Sequence, residues 1–345
     1  MTTVSVVIPT YNRATLVRET IDSVLAQSWP NIEIVVVDDG STDDTPSIER
    51  DYSGRIVYIR QDNRGLNAAR NAAVSRARGG FIALLDSDDL HLPHTIELMV
   101  GLLERFPSAG FAYTDFQVLR GDEPPSGSGL GSWQSAGHRW EDVFGPGRMR
   151  AELGLAVPAG MKQQNFSVYT GDLYAASLHG PQVLPSASLI RREHMGDLRF
   201  PEFDSLCGDW EFFARLSHRH GAVFADVPAA LNRSHEDAVR LTRVDVAIQL
   251  EKRIALIDRL WRQDPEFLAG HAAEVDSRQF SLLLGLARRQ LLAGDVTRAR
   301  AVLARAKPLR SGHDSGQWRA LAIASHVPGA TMLLRLGRRL RRALS

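Results

Sequence analysis

The chain has one cysteine, Cys207, in 345 residues. It can form neither an internal disulfide nor a cysteine-based zinc centre, and a reducing, cytoplasmic setting is expected. Long hydrophobic runs are equally scarce. The longest mostly apolar stretch, from Arg319 to Arg335, is broken by His326, Pro328 and Gly329 and falls short of a membrane span. No basic segment precedes the first apolar run, so a secretory signal is not expected. Net charge is missing too, since 41 basic and 40 acidic side chains leave +1. The average gives no basis for nucleic-acid binding, and none is expected. It is nonetheless a cancellation: Lys307 to Ser345 holds eight Lys or Arg and one Asp, a local +7 set against −6 for the rest. With 44% hydrophobic and 23% charged residues, the chain is ordinary globular material, long enough for one large domain with an appendage or for two domains.

What is present is an alternation of strand and helix patterns. Val4 to Ile8 is a β-branched run, and Leu16, Val17, Ile21, Val24 and Leu25 follow at helical spacing. Ile32 to Val37 reads as a second strand, stopped by Asp38-Asp39-Gly40-Ser41; Ile56 to Ile59 reads as a third. Leu66 to Ala77 is an alanine-rich helix, and Phe81 to Leu85 a buried strand ending at Asp86-Ser87-Asp88-Asp89. A helix over Pro93 to Phe106 and a strand over Gly110 to Val118 follow. Such alternation predicts βαβ crossovers and a mostly parallel sheet. Ligands of such sheets collect beyond the carboxyl ends of the strands, where Pro9-Thr10-Tyr11, Asp38-Asp39 and Asp86 to Asp89 all fall. Any one of these clusters also reads as a turn with capping aspartates.

Gly121 to Gly137 is rich in Gly, Ser and Pro and reads as a long loop or insertion. Regularity resumes near Pro185, with a helix containing Trp210 to His218 and a short strand, Ala222 to Ala225. No strand pattern is read after Asp226, and a domain boundary is expected near Arg240. Helices are predicted over Val246 to Trp261, Phe267 to Leu292, Val296 to Ala306, Gly316 to Ser325 and Met332 to Leu344. The expected organisation is an α/β domain over 1–240 and a helical region over 241–345. The first divides into a leading part (1–118), an insertion (119–184) and a closing part (185–240).

Asp86-Ser87-Asp88 is a D-x-D motif, and hard oxygen ligands of this kind suit Mg²⁺ or Mn²⁺ sharing the site with phosphate oxygens. If the strand continued, both carboxylates would point to a similar side. At this point the chain resembles the nucleotide-sugar-dependent, inverting glycosyltransferases of family 2. The resemblance rests on Val6 to Arg13, Leu25 to Ser28, Ile34 to Thr42, Asn63 to Asn71 and Phe81 to Asp89. It implies the GT-A fold, an α/β Rossmann-like, mostly parallel sheet, here followed by an α-helical C-terminal region.

Carried over residue by residue, the resemblance implies that Pro9, Thr10, Tyr11 and Arg13 border the donor nucleotide, with Tyr11 against the base. Asp39 would bind the uracil or ribose edge, and Asp86 and Asp88 the ribose and a divalent metal, Asp88 being favoured over Asp86 as direct ligand. Arg70 and the loop Asn63 to Gly65 would close over the diphosphate and sugar. Gly208-Asp209-Trp210-Glu211-Phe212-Phe213-Ala214-Arg215-Leu216 resembles the family's E-D-x-x-x-x-x-R-L motif, which makes Asp209 the general base and puts Gly208 where an acid is usual. Asp209 also reads as a plain helix cap. Leu231 to His235 resembles the closing segment, with Arg233 toward the diphosphate and His235 a further metal ligand or a solvated side chain. Ser186, Ser188, Arg191 and Arg192 match a supporting segment to which no chemistry is assigned.

The implied reaction is a metal-assisted single displacement onto an acceptor hydroxyl in a cell-surface polysaccharide or glycoconjugate. The donor would be a nucleoside-diphosphate sugar, with UDP the leading carrier, and the acceptor a glycan, lipid-linked glycan or protein. The competing reading is a catalytically weak sugar-nucleotide-binding scaffold acting through its helices. A nucleotidyltransferase lacks its Gly-rich phosphate loop. In the tail, Leu282 to Ala306 resembles one paired-helix repeat unit. Over 330–345, Leu333, Leu336, Leu340 and Leu344 share one helical face opposite Arg335, Arg338, Arg339 and Arg342. That pattern suits peripheral attachment to an anionic surface on the inner face of the cytoplasmic membrane, or leucines packed against protein.

Overall fold

The structure is a computed structural model, which describes residues 1–121, 123–133, 139–234, 244–310 and 315–327. The chain divides into two compact units, Met1–Ala238 and Val239–Ser345.

In the first unit, β1 (Val4–Thr10) is buried at every position, as a β-branched run inside a sheet should be. α1 (Ala14–Leu25) buries Val17, Ile21 and Val24 along one stripe. β2 (Ile32–Asp38), the single turn α2 (Ile48–Asp51) and β3 (Val57–Arg60) follow. α3 (Leu66–Arg76) buries Ala68, Ala69 and Ala73, and small side chains there let it lie close over β1 and β2. Next come β4 (Phe81–Leu84), β5 (Leu90–His91), α4 (Thr95–Arg105) and β6 (Phe111–Arg120).

The 119–184 insertion carries short elements: α5 (Gly129–Trp133), which falls within the stretch read as a long loop or insertion, then α6 (Trp140–Phe144), the paired β7 (Arg148–Met149) and β8 (Ser167–Gly171), and α7 (Tyr174–Ser177). Gly129 makes α5 possible, because a Cβ there would run into the Phe116 ring. β9 (Ser188–Arg191), α8 (Arg192–Met195), α9 (Gly208–His220) and β10 (Ala222–Ser234) complete the unit.

All ten strands form one sheet in the order β3-β2-β1-β4-β9-β6-β10-β8-β7, with β5 pairing β10. β3, β2, β1 and β4 run parallel, as does β6 with β10, while β9 is antiparallel to β4 and β6. The carboxyl ends of β1, β2, β4, β6 and β10 therefore share one edge. Separate apolar layers cover the two faces, one including residues of α1 and α4 and the other residues of α3 and α9.

One expectation needs correcting. β10 does not stop at Ala225 but runs on to Ser234, with its register to β6 shifting on either side of Pro228. Proline cannot donate to the ladder, and the irregularity at that point accommodates it. The polar tail Leu231-Asn232-Arg233-Ser234 pairs with Gln117 to Arg120.

The second unit is helical: α10 (Val246–Arg259), α11 (Pro265–Ala293), α12 (Val296–Ala306) and α13 (Ser315–Ala324). α11 starts with Pro265 behind an Asp264 cap and ends at Gly294, whose φ of 92° closes the helix; Asp295 then caps α12. Trp261, Phe280, Leu283 and Leu291 form its buried interior. Among the described residues, no helix is long and apolar enough to cross a membrane. The basic segment 330–345 lies outside the described residues.

Candidate active site

The carboxyl edge gathers most of the residues singled out by sequence. Pro9 lies within β1, and Thr10 ends it buried, with a hydroxyl that has no partner among the described residues. The chain then turns at Asn12, whose φ of 50° is one that asparagine tolerates. The Asn12 side-chain oxygen accepts the Thr42 backbone N–H at 2.7 Å, and its own N–H donates to Ser41 Oγ at 2.9 Å. This ties the first loop to the second and leaves Tyr11 46% exposed at the edge.

Asp39 is buried and already engaged. Its carboxylate accepts Gln61 Nε2 at 2.7 Å and the backbone N–H groups of Arg64 and Gly65 at 3.0 and 2.8 Å. It fixes the 61–65 loop that leads into α3, so its structural role is direct. Gly40, at φ 80°, lets the loops meet: a Cβ there would press on the Asn63 backbone nitrogen.

The D-x-D segment is not a continuation of β4. It is a tight turn closed by the Asp89 N–H to the Asp86 carbonyl at 2.9 Å, and its two acids part company. Asp86 pairs with Arg70 at 2.6 Å, and Asp88 pairs with Arg13 at 2.6 Å. Arg70 is 2% exposed; its guanidinium feels Asp86, Asp209 and Asp89, which hold its charge in place against burial.

Asp209 sits in the first turn of α9, where its carboxylate accepts the Trp210 N–H at 2.7 Å and feels the Arg70 charge. Burial raises its carboxyl above the ordinary aspartate value, Arg70 opposes the rise, and Asp86 adds to it. Gly208 beside it has no room for a side chain, because a Cβ would overlap the Asn67 side-chain nitrogen. Asn67 Nδ2 donates to the carbonyls of Pro201 and Asp204, both at 2.9 Å, and its Oδ1 faces Arg70 Nη1 at 3.5 Å. An amide from α3 thus occupies the position where the sequence lacks an acid.

Sequence reasoning missed the part that Asp89 and Ser186 play. Asp89, read only as part of a turn, is the most buried acid of its segment. It accepts Ser186 Oγ at 2.6 Å, the Arg233 N–H at 3.1 Å and Asn232 Nδ2 at 3.0 Å, which staples the acidic turn to β10. Burial, then Asp88 and Asp86, push its carboxyl up to about 8. Ser186 also accepts the Asp86 N–H at 3.1 Å, so the segment given no chemistry positions the turn. A fourth consecutive acid-or-serine position after a buried strand was the available signal. The Arg233 guanidinium pairs with Glu19 at 2.6 Å, while only its backbone meets the acidic turn. His235 lies outside the described residues.

Among the described residues, no cluster of three or more ligands stands ready for a metal. Asp86 and Asp88 are instead the incomplete, hard-oxygen donor set with which Mg²⁺ or Mn²⁺ binds phosphate oxygens and water, and each pairs with an arginine among the described residues. The residues fit such an ion.

An α/β sheet whose carboxyl edge carries paired acids, a buried arginine and a helix-start aspartate defines a class. Residues 5–152 match the family described as Glycosyl transferase family 2. Over 117 residues the chain is 41% identical to the "Uncharacterized glycosyltransferase RP339" of Rickettsia prowazekii, covering 34% of this chain and 37% of that one. It is 38% identical over 128 residues to the "Putative teichuronic acid biosynthesis glycosyltransferase TuaG" of Bacillus subtilis, covering 35% and 50%. The chain thus spans half or less of the length of these relatives. Two solved structures share its fold. S. aureus TarS 1-349 in complex with UDP-GlcNAc has a TM-score of 0.55 at 16% identity, covering 94% of this chain and 91% of that one. The Pyrobaculum calidifontis mannosyltransferase PcManGT, in complex with GDP-Man and Mn²⁺, has a TM-score of 0.51 at 17% identity, covering 96% and 83%. The fold is GT-A.

Proposed function

We propose that the protein transfers a sugar, with inversion, from a nucleoside-diphosphate donor, UDP-linked by preference, to an acceptor hydroxyl in cell-surface polysaccharide or glycoconjugate synthesis. The observation that carries this is the buried Arg70 cation, which pairs with Asp86 of the acidic turn at 2.6 Å and acts electrostatically on Asp209 of α9. In this reading one guanidinium links the donor end, by contact, to the acceptor end, by its field. The teichuronic acid relative and the UDP-GlcNAc and GDP-Man complexes of the structural neighbours support the substrate class.

The residues divide the work by position. Tyr11 offers a half-exposed ring to the base, and Asp39 holds the 61–65 loop in register beside it. Asp88 and Asp86 would hold a divalent cation, which supplies charge stabilisation for the departing diphosphate when bound. Arg70 keeps Asp86 aimed and sets a positive charge beside Asp209. Asp209 takes the acceptor proton at a carboxylate oxygen; burial makes it more basic than an ordinary aspartate, and such a base contributes about 10²–10⁴-fold. Attachment to an anionic membrane surface through 330–345 belongs to this reading as well.

Asp209→Asn, measured for sugar transfer and separately for donor binding by calorimetry, is expected to lose about 10²-fold or more in kcat with donor affinity kept. Full transfer by this variant removes the assignment. In the parent enzyme, the acidic limb of the kcat profile should lie above the ordinary aspartate range.

A further inference from the structure

Among the described residues, two arginines held in opposite ways pair with the acidic turn. Arg70 is 2% exposed, built into α3, paired with Asp86 and held charged by the fields of Asp86, Asp209 and Asp89. Arg13 is 21% exposed and cups the edge of the sheet from just before α1, with its guanidinium 2.6 Å from Asp88. Its backbone is anchored independently of that side chain: its N–H donates to Thr45 Oγ1 at 3.1 Å, and the next N–H donates to Asp43 at 3.1 Å. Arg13 can therefore swing without disturbing the loop, whereas Arg70 cannot.

We propose that Arg13 is a displaceable counter-ion that keeps Asp88 closed to a divalent cation until a diphosphate arrives to receive the arginine. This rests on the donor-site reading above and adds an order of events to it. A bare cation approaching Asp88 must break a charge-assisted pair and leave a guanidinium without an anion beside it. A diphosphate bound at the same strand ends gives Arg13 a new partner of the kind that its planar fork fits. Cation and nucleotide then enter with positive coupling that Arg13 itself supplies, in addition to any direct bridging between them. The coupling is reciprocal, so each raises the affinity of the other by the same factor. The free protein is thereby protected from idle metal loading.

Binding of Mn²⁺ alone, followed by electron paramagnetic resonance, tests this in the parent, Arg13→Gln and Arg13→Lys, each then titrated with UDP or GDP. Arg13→Gln should bind Mn²⁺ alone about fivefold or more tightly than the parent, the size of one partly buried ion pair, and Arg13→Lys should stay near the parent. The factor by which the diphosphate tightens Mn²⁺ should fall correspondingly in Arg13→Gln. Adding Asp88→Asn to Arg13→Gln should cancel the gain. Equal or weaker Mn²⁺ binding by Arg13→Gln, while the parent still forms a ternary complex, overturns the proposal. So does a gain that survives Asp88→Asn, since it would then be a general field effect. Failure of the parent to bind either diphosphate with Mn²⁺ overturns the donor-site reading itself and takes the proposal with it. Circular dichroism of each variant confirms that folded protein is compared.

Discussion

Gly208 shows how one residue's absence of a side chain organises its neighbours. The space above its Cα is filled by the Asn67 amide, which holds the Pro201 and Asp204 carbonyls and faces Arg70. Gly208→Ala drives that amide out and leaves two carbonyls and a buried guanidinium short of partners. The expected cost is about 1–3 kcal/mol in urea unfolding, with a fall in kcat as the start of α9 loosens. Asn67→Ala combined with Gly208→Ala should cost clearly less than the sum of the two single changes, because they remove one shared contact. Strict additivity would show that the amide does not fill this space. Further along the same helix, Glu211 and Arg215 form a two-point pair at 2.8 and 3.0 Å, so the arginine of the motif is occupied within α9 and does not reach toward Gly208.

At the level of elements, what periodicity could reveal was visible in the sequence and what pairing alone creates was not. β1, β2, β4 and α3 announce themselves because burial on both faces selects apolar runs, and a close helix–sheet approach selects alanine. β10 announced only its first four residues. Beyond Asp226 its sequence turns polar and includes Pro228, yet the ladder to β6 carries it to Ser234. The D-x-D acids were legible as a pair, but their divergence to Arg70 and Arg13 depends on a turn that no alternation encodes. Asp89 escaped because its partners, Ser186, Asn232 and Arg233, lie about a hundred residues or more along the chain. In the helical unit the punctuation was readable: Gly294 ends α11 in the left-handed region, and Asp295 caps α12 through the Arg298 N–H at 3.0 Å. Gly294→Ala and Asp295→Ala are each expected to cost about 1 kcal/mol, read as a lowered melting temperature of the full chain.

For the molecule as a whole, buried titratable groups set how stability responds to pH. His91 is buried with Nε2 against the Ser186 carbonyl at 2.9 Å, and burial lowers its pKa from 6.5 to about 4. The unfolded chain takes up a proton below about pH 6.5 that the folded chain refuses until about pH 4. The folded state therefore loses stability as pH falls through that window, by up to about 3 kcal/mol. Asp89 acts in the opposite sense, its raised pKa costing stability as pH rises from the ordinary aspartate value toward 8. The comparison must accordingly be between parent and His91→Gln, which keeps a donor for the Ser186 carbonyl. The variant should show a shallower loss of unfolding free energy between pH 6.5 and 4.

The scarcity of cysteine acquires a use at this scale. Cys207 is buried at the residue immediately before α9, two positions from Asp209. A thiol reagent can reach it only when that end of the helix detaches, and no other sulfhydryl in the chain competes for the label. Its alkylation rate is thus a clock built into the protein, counting how often the element that carries the base opens and how far a bound donor slows it.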